Sequence, residues 1–463
     1  MKREVKPMKR SLVFLQGGLA LLALLALPRA VGAAEANPAA GTRESGPLVL
    51  TLEQTLALAA EQNRDVQKAR EYRNQVEGRY VEEKSVALPH FKLAGTAAFS
   101  GDSSQAGLGP PERTDNYAAT LGVVQPIFTW GQIGAGLKLA DIGRSTAGDR
   151  MASARGTALR DAAIAFYNVL LAREFAALAT QNLEQRVRLL EEARRRLAAG
   201  TVTDYDVLAA SVAEQVARPE VIRTANRVIA AREHLAFVLG LGGREVDVSG
   251  SLAVDAPATT LPDYATALQM ATTSRPELIE LRKGRAMSEE LVRITRAENK
   301  PRLDFGADLG WRDVTMDGRT GDGNTWNAGL RLTWPVFDGG RTKGAVARTE
   351  SETRSLGIEE ARFIDSLVLE TRTGVDDVRE AAAVVAALDG TVAQAERLLA
   401  MAEKGFELGV KMRLDVDDAQ LNLLQARFAL ARGRRDLLTA QVNLRWVTGE
   451  LSPAPPLKPP TNP

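Results

Sequence analysis

The phrase "LGVVQPIFTWGQI" at residues 121–133 returns as "GLRLTWPVFDGGRT" at residues 329–342, and this duplication restricts the possible folds more than any other feature of the chain. Matching the copies pairs Pro126 with Pro335, Phe128 with Phe337 and Gly131 with Gly340, an offset of 209. The offset persists downstream, pairing Gly200 with Gly409, Asp206 with Asp415 and Gly240 with Gly449. Upstream it is 212, matching Leu56 with Leu268 and Pro89 with Pro301. The sequence divides into a first repeat at 48–242, a linker at 243–261, a second repeat at 262–451 and a proline-rich tail at 452–463, expected to be flexible. Two repeats are too few for a solenoid, which needs at least about three to bury its core, so the duplication serves another assembly.

Ahead of the first repeat, "MKREVKPMKR" is a basic n-region, "SLVFLQGGLALLALLAL" an apolar h-region and "PRAVGAAEA" a run of small residues. Together they predict a signal peptide over 1–34 and an exported mature chain. Its removal takes six basic residues and one acidic residue from a net charge of +1, leaving 1 − 5 = −4 and no electrostatic pull toward nucleic acid. With no cysteine there is no disulfide framework, thiolate metal site or lipid-bearing cysteine. No later stretch reads as a bilayer-spanning helix.

Within each repeat the hydrophobic period changes. A helical pattern stops at Pro89 or Pro301. Then Leu303, Phe305, Ala307, Leu309 and Trp311 alternate with Arg302, Asp304, Gly306, Asp308 and Arg312, the signature of a strand with two different faces. Trp326, Ala328, Leu330, Leu332 and Trp334 alternate likewise with Thr325, Asn327, Gly329, Arg331 and Thr333. "VTMDGRTGDGN" between them reads as a polar turn, giving a hairpin with strands at about 302–313 and 324–336. A fainter hairpin occupies about 90–100 and 115–127. Each is followed by a proline-free stretch, about 134–198 and 342–406, then a returning helix. Some 65 helical residues extend about 100 Å, a coiled-coil length. The second returning helix carries an unbroken heptad seam of Val416, Ala419, Leu423, Ala426, Leu430, Gly433, Leu437, Ala440, Leu444 and Val447. The first puts Glu214 and Thr224 on that seam, with Pro219 nearby as a kink site.

A hairpin with one apolar face must bury it, against another protein layer in a soluble α+β domain or against lipid. Strands of about 10 residues tilted by roughly 45° match a transmembrane β-barrel. Trp311 and Trp326 flank the turn, while Phe91, Phe128, Trp334 and Phe337 lie at the other end, as interfacial girdles. On this reading Leu303, Phe305, Leu309, Trp311, Trp326, Leu330, Leu332 and Trp334 face lipid, and Arg302, Asp304, Asp308, Arg312, Asn327 and Arg331 face a water-filled lumen. Four strands cannot close a barrel, and open edges are not tolerated in lipid. Two chains would give eight strands, a size whose interior side chains fill, whereas three would give twelve and a wider lumen, with a six-fold-like cylinder of helices from the two repeats of each chain. The fold class expected is mainly α with transmembrane β: a duplicated helix–hairpin–helix–helix unit forming a trimeric 12-stranded barrel continued by a long helical barrel.

At the far end each long helix reverses at Gly200 or Gly409, residues suited to positive φ. Asp415 and Asp418, at i and i+3, lie on one helical face and would form two acidic rings around a three-fold axis. Acidic residues in a first helical turn also favour the helix dipole without any gate.

The paired "QPIFTWG" and "WPVFDGG", the prolines entering each hairpin, the turns at "LAAGTVTDYDVLAA" and "FELGVKMRLDVDDAQ" and the duplicated plan together resemble the TolC family of outer-membrane efflux proteins over about residues 48–451. The resemblance implies a homotrimer in outer-membrane lipid, a helical tunnel through the periplasm, and docking to a periplasmic adaptor (membrane fusion) protein and an inner-membrane efflux pump or ABC transporter. It also implies that Asp415 and Asp418 are constriction aspartates and that Lys411 links to the first turn near Tyr205 and Asp206. Phe406 stands where the family often has a tyrosine. The function implied is a tripartite exit duct for small toxic molecules. Two other readings share the sequence: a duct for type I polypeptide secretion, and a periplasmic trimeric coiled coil without an open lumen. An enzyme is disfavoured, since the two histidines, His90 and His234, are far apart in sequence and lack metal-ligand spacing. No catalytic residue, cofactor, metal or nucleic-acid partner is expected. The run Arg194–Arg196 is a solvated helix face or an adaptor contact.

Overall fold

In a computed structural model the structure describes residues 47–102, 112–253, 262–316 and 319–452. The expected signal peptide, most of the tail and the centres of both hairpin turns lie outside the described residues. The first repeat runs β1 (Leu48–Leu50), α1 (Leu52–Gln62), α2 (Arg64–Ser85), β2 (His90–Asp102), β3 (Glu112–Phe128), α3 (Gln132–Ala198) and α4 (Asp204–Leu239). After β4 (Val246–Val248), the second follows as α5 (Tyr264–Ser274), α6 (Pro276–Ala297), β5 (Arg302–Met316), β6 (Arg319–Thr333), α7 (Arg341–Glu407) and α8 (Arg413–Val447).

The opening helical pattern is two helices in each repeat. Asn63 ends α1 and caps α2, its side-chain Oδ1 accepting from the N–H groups of Asp65 and Val66 at 2.9 and 3.3 Å. In the second repeat Pro276, with no N–H to donate, opens α6 at its first turn. The linker expected at 243–261 contains strand β4, which pairs in parallel with β1 from Leu48↔Val246 to Leu50↔Val248. This pair sits on a core of Ala162, Phe166, Val169, Leu170, Leu235 and Leu239.

The hairpins are longer than their apolar patterns. Most of the stretch expected as a turn at 314–324 is strand, with Met316 paired to Arg319, and β6 ends at Thr333, so Trp334 lies just beyond it. Backbone pairing requires no apolar side chain, so the ladder continues after the alternation stops. The four strands form one antiparallel sheet in the order β2-β3-β5-β6.

Helices α3 and α7 each have 67 residues, about 100 Å at about 1.5 Å per residue. Near the sheet α3 packs between α2 and α6, with α7 beyond α6; toward the far end it packs between α4 and α8, with α7 beyond α8. One window of α3 is long and apolar enough to cross a bilayer, contrary to the sequence reading, but more than half of it is buried inside the protein. The reason is its alanine content: Ala158, Ala162, Ala163, Ala165 and Ala172 are buried and let neighbouring helices approach closely. The seam on α8 is buried from Val416 to Val447 except for a partly buried Ala440. On α4 the seam residues Glu214 and Thr224 are buried as well; the Arg218 guanidinium donates to Glu214, and the Thr224 hydroxyl donates to the Glu220 carbonyl at 2.8 Å. The helix continues through Pro219.

Candidate functional site

The sheet register sorts the strand residues into two faces. One carries successive cross-strand rows: Leu303 with Leu332, Phe305 with Leu330, Ala307 with Ala328, Leu309 with Trp326 and Trp311 with Asn324. Strands β2 and β3 extend these rows, with Phe91 and Val123 beside Ala307, and Leu93 and Leu121 beside Leu309. A bulge between Pro126 and Phe128 shifts the parity of β3 and brings Phe128 opposite Leu303. This face is apolar and largely exposed, with Phe91, Leu93, Leu330 and Leu332 all about two-thirds exposed or more. Beyond Trp311 the same face turns acidic, with Asp313 opposite Asp322.

The second face brings together Arg302 with Thr333, Asp304 with Arg331, Asp308 with Asn327 and Arg312 with Gly323. Arg302 Nε donates to both carboxylate oxygens of Asp304 at 2.9 and 3.0 Å. Asp308 occupies the space above Gly122, where a Cβ would lie 2.5 Å from its Oδ1. The face is hydrophilic and carries both charge signs.

At the opposite end the two helix reversals are built alike. Gly200 and Gly409 take φ of 71° and 72°. The Gly200 N–H donates to Leu197 O at 2.8 Å and the Thr201 N–H to Arg196 O at 2.9 Å; Gly409 and Val410 repeat the pattern on Phe406 and Gly405 at 3.0 and 2.8 Å. These are Schellman motifs that satisfy the last helical carbonyls. The next helices start with carboxylate caps. Asp206 Oδ2 accepts from the Thr203 N–H at 2.8 Å and its hydroxyl at 2.7 Å, and Asp415 Oδ2 accepts from the Met412 N–H at 2.8 Å. The Thr203 backbone donor, helped by the hydroxyl, holds the Asp206 carboxyl below the usual range.

Within one chain the two turns hold their charged groups locally. Lys411 Nζ lies 3.5 Å from Asp415 Oδ1, one helical turn away, while Asp206 caps α4; a link from Lys411 to the turn near Tyr205 and Asp206 would be made between copies. Tyr205 is exposed. Phe406 packs on the cluster of Ala402, Val416 and Ala419, with the Arg413 guanidinium 5.8 Å from its ring. Asp418 is exposed beside half-buried Asp415.

The residue that joins the two repeats here is one the spacing does not single out. Asp417 accepts from Arg186 of α3 at 2.8 Å and lies 3.7 Å from Arg413. Arg186, Arg196, Asp206, Phe406, Arg413 and Asp417 line a groove of about 280 Å³ between the helical hairpins. Among the described residues no group of three or more His, Asp or Glu side chains is placed to hold a metal ion.

Comparison with known proteins bears on the whole arrangement. The sequence profile described as outer membrane efflux protein matches residues 55–241 and 267–450, one match on each repeat. The chain is 26% identical over 355 residues to the alkaline protease secretion protein AprF of Pseudomonas aeruginosa, covering 73% of this chain and 71% of AprF. It is 27% identical over 389 residues to the cobalt-zinc-cadmium resistance protein CzcC of Cupriavidus metallidurans, covering 83% and 85%. The crystal structure of the Campylobacter jejuni CmeC outer membrane channel superposes with a TM-score of 0.74 at 14% identity, covering 86% of this chain and 85% of CmeC.

Proposed function

This chain belongs to the outer membrane efflux protein family, the TolC-like channels, and on that premise we propose that three copies close into a duct passing small toxic molecules from the periplasm to the exterior. Membership makes it an outer-membrane channel protein that reaches into the periplasm, and not an enzyme. The observation that carries the trimeric duct is the pair of open edges on its sheet. Among the described residues strands β2 and β6 have no partner on their outer sides, and they run in opposite directions, so β6 of one copy can pair with β2 of the next and continue the antiparallel alternation. Lipid leaves no other partner for those edge amides. Three copies supply twelve strands, a barrel wide enough for a lumen lined by the face of Asp304, Asp308, Asn327 and Arg331. The helices carry the matching feature. Leu208, Val212 and Val216 on α4 and Ile358, Leu369 and Met401 on α7 are exposed apolar residues on the outermost helices, where a cyclic, head-to-tail trimer would cover them.

In this reading the turns at Gly200 and Gly409 form the periplasmic mouth, Asp415 and Asp418 line it, and a periplasmic adaptor and an inner-membrane pump feed it. CzcC, a resistance protein matched over most of both chains, supports small solutes as cargo. The similarity to AprF, a secretion protein, favours polypeptide export as the second reading. Deletion of the gene separates them. Greater susceptibility to toxic compounds or metal ions with an unchanged set of secreted proteins supports efflux; loss of a secreted protein with unchanged susceptibility supports secretion.

A further inference from the structure

Trp130 is the only non-glycine residue with positive φ among the described residues, at 51°. For a bulky side chain this backbone is strained. The repeat shows that the strain is unnecessary for the turn itself. Trp130 and Gly131 carry the chain from β3 into α3, and the same bend before α7 is made by Gly339 and Gly340 at φ 66° and 85°. A glycine would serve, so the tryptophan is kept for its side chain.

That side chain stands at the rim of the apolar sheet face. Its ring is edge-on to Phe128 at 5.2 Å, and the bulge in β3 has placed Phe128 on the face that carries Leu303 and Leu332. Below it Trp130, Lys138, Arg293, Arg296 and Lys300 line an opening of about 520 Å³ between the start of α3 and the end of α6. Lys138 lies six residues into α3, roughly 9 Å along its axis and so just past a headgroup layer of about 5–7 Å, and a helical side chain leans back toward the N-terminus, here toward that layer. Buried Glu290 is shared by Lys138 at 2.7 Å and Arg293 at 3.0 Å, and Glu350 takes Arg296 at 2.6 Å. Glu298 is held by Arg341 at 3.3 Å, and no carboxylate of the described residues pairs with Lys300. Four cations thus face two carboxylates. The opening is interior to the layer α2-α3-α6-α7 and so away from the edges where copies would meet.

The repeat again supplies the control. The positions equivalent to Trp130, Lys138, Arg293, Arg296 and Lys300 are Gly339, Ala347, Val81, Lys84 and Leu88, which keep one cation and no aromatic ring. The fold does not need this cluster.

We propose that Trp130 with Lys138, Arg293, Arg296 and Lys300 binds the headgroup phosphodiester of an anionic phospholipid in the periplasmic leaflet of the outer membrane. An indole at the water–lipid boundary above a basic pocket is the chemistry that recognises such a headgroup. The inference rests on the sheet crossing the membrane, so insertion is measured alongside binding.

The test is native mass spectrometry of the full mature protein, delipidated and then titrated with phosphatidylglycerol or phosphatidylcholine, with insertion into phosphatidylcholine vesicles measured separately. Phosphatidylglycerol is expected to be retained over phosphatidylcholine. The Arg296→Gln, Lys300→Gln double variant should bind it about thirtyfold more weakly, a loss of roughly fivefold per charge. Trp130→Gly, which relieves the backbone, should lower retention without lowering thermal stability, and Lys84→Gln at the equivalent position should change nothing. Equal retention by wild type and all variants, equal retention of the two lipids, or displacement of the lipid by millimolar inorganic phosphate would overturn the proposal. Failure of wild type to insert would instead count against the membrane placement.

Discussion

An arginine scan along the exposed face of β6 distinguishes lipid contact from protein contact. The apolar rows run from the pair Leu303 and Leu332 to the pair Trp311 and Asn324, with Ala307 and Ala328 third of the five. Eight residues at about 3.4 Å each, tilted about 40°, span about 21 Å, close to the roughly 25 Å apolar band of an outer-membrane barrel. Ala328 therefore lies near the midplane and Leu332 near the periplasmic interface. Arginine at the midplane costs about 2–4 kcal/mol and near an interface about 0–1 kcal/mol. In a trimer these become roughly 6–12 and 0–3 kcal/mol, because each substitution is present three times. Packing alone predicts the reverse order, since Leu332 has more apolar surface to lose than Ala328. The assay is urea-dependent folding into phosphatidylcholine vesicles, read by tryptophan fluorescence and by the electrophoretic shift of folded trimer. Ala328→Arg should be the most damaging, Leu330→Arg intermediate and Leu332→Arg mild, while Asn327→Arg on the other face should fold normally and alter conductance. A flat profile, or a maximum at Leu332, would refute the lipid assignment of this face.

At the mouth, Asp418→Asn removes charge from an exposed side chain and should reduce cation selectivity and block by multivalent cations in single-channel recordings with unchanged thermal stability. Asp415→Ala should additionally destabilise the start of α8 by about 1 kcal/mol, since its carboxylate caps the Met412 N–H; unchanged selectivity in both would leave only the capping role. Gly433→Leu should destabilise the α7–α8 pair by about 1–3 kcal/mol in denaturant melts, because even a Cβ there would stand 3.1 Å from Leu388 Cδ1; a neutral effect would show that the helices can separate freely. Burial, with Asp149 and Glu277 nearby and partly offset by Arg150, raises the pKa of the Glu280 carboxyl. A raised carboxyl pKa gives stability that is full below the unfolded value and lost as pH rises through the folded one. Glu280→Gln should therefore raise the melting temperature at pH 7–8, with the gain shrinking toward pH 4; a gain independent of pH would contradict the burial argument.

The elements legible in the sequence are those written redundantly. The α8 seam is spelled by ten residues, and each is placed by the same 3-4 spacing whatever its neighbours do. The alternation on β5 and β6 likewise repeats over five residues per face, so the helical and strand parts of the channel fold are separable from the sequence alone. Features resting on backbone bonds alone left no such record. The ladder through Val314, Thr315 and Met316 runs in a segment rich in Gly, Asp and Thr that resembles a turn. The three-residue pairing of β1 with β4 joins segments almost two hundred residues apart in residues too few to show a period.

The mouth was harder to read for a different reason: one residue type there serves two purposes that the sequence does not separate. A carboxylate three positions into a helix satisfies an orphan N–H, and the same carboxylate repeated around an axis makes a ring. Spacing identified Asp415 and Asp418 but not that Asp415 is committed to Met412 and Lys411 while Asp418 is exposed. It also passed over Asp417, whose partner Arg186 lies 231 residues away. Asp206 and Asp415, at equivalent positions in the two repeats, both cap their helices, which shows that capping belongs to the duplicated unit. Asp418 has Ala209 as its equivalent and so belongs to the second repeat alone. A ring specific to one repeat would give the mouth three acidic positions instead of six, and that asymmetry makes Asp418, more than Asp415, the residue on which a charge-selective gate would depend.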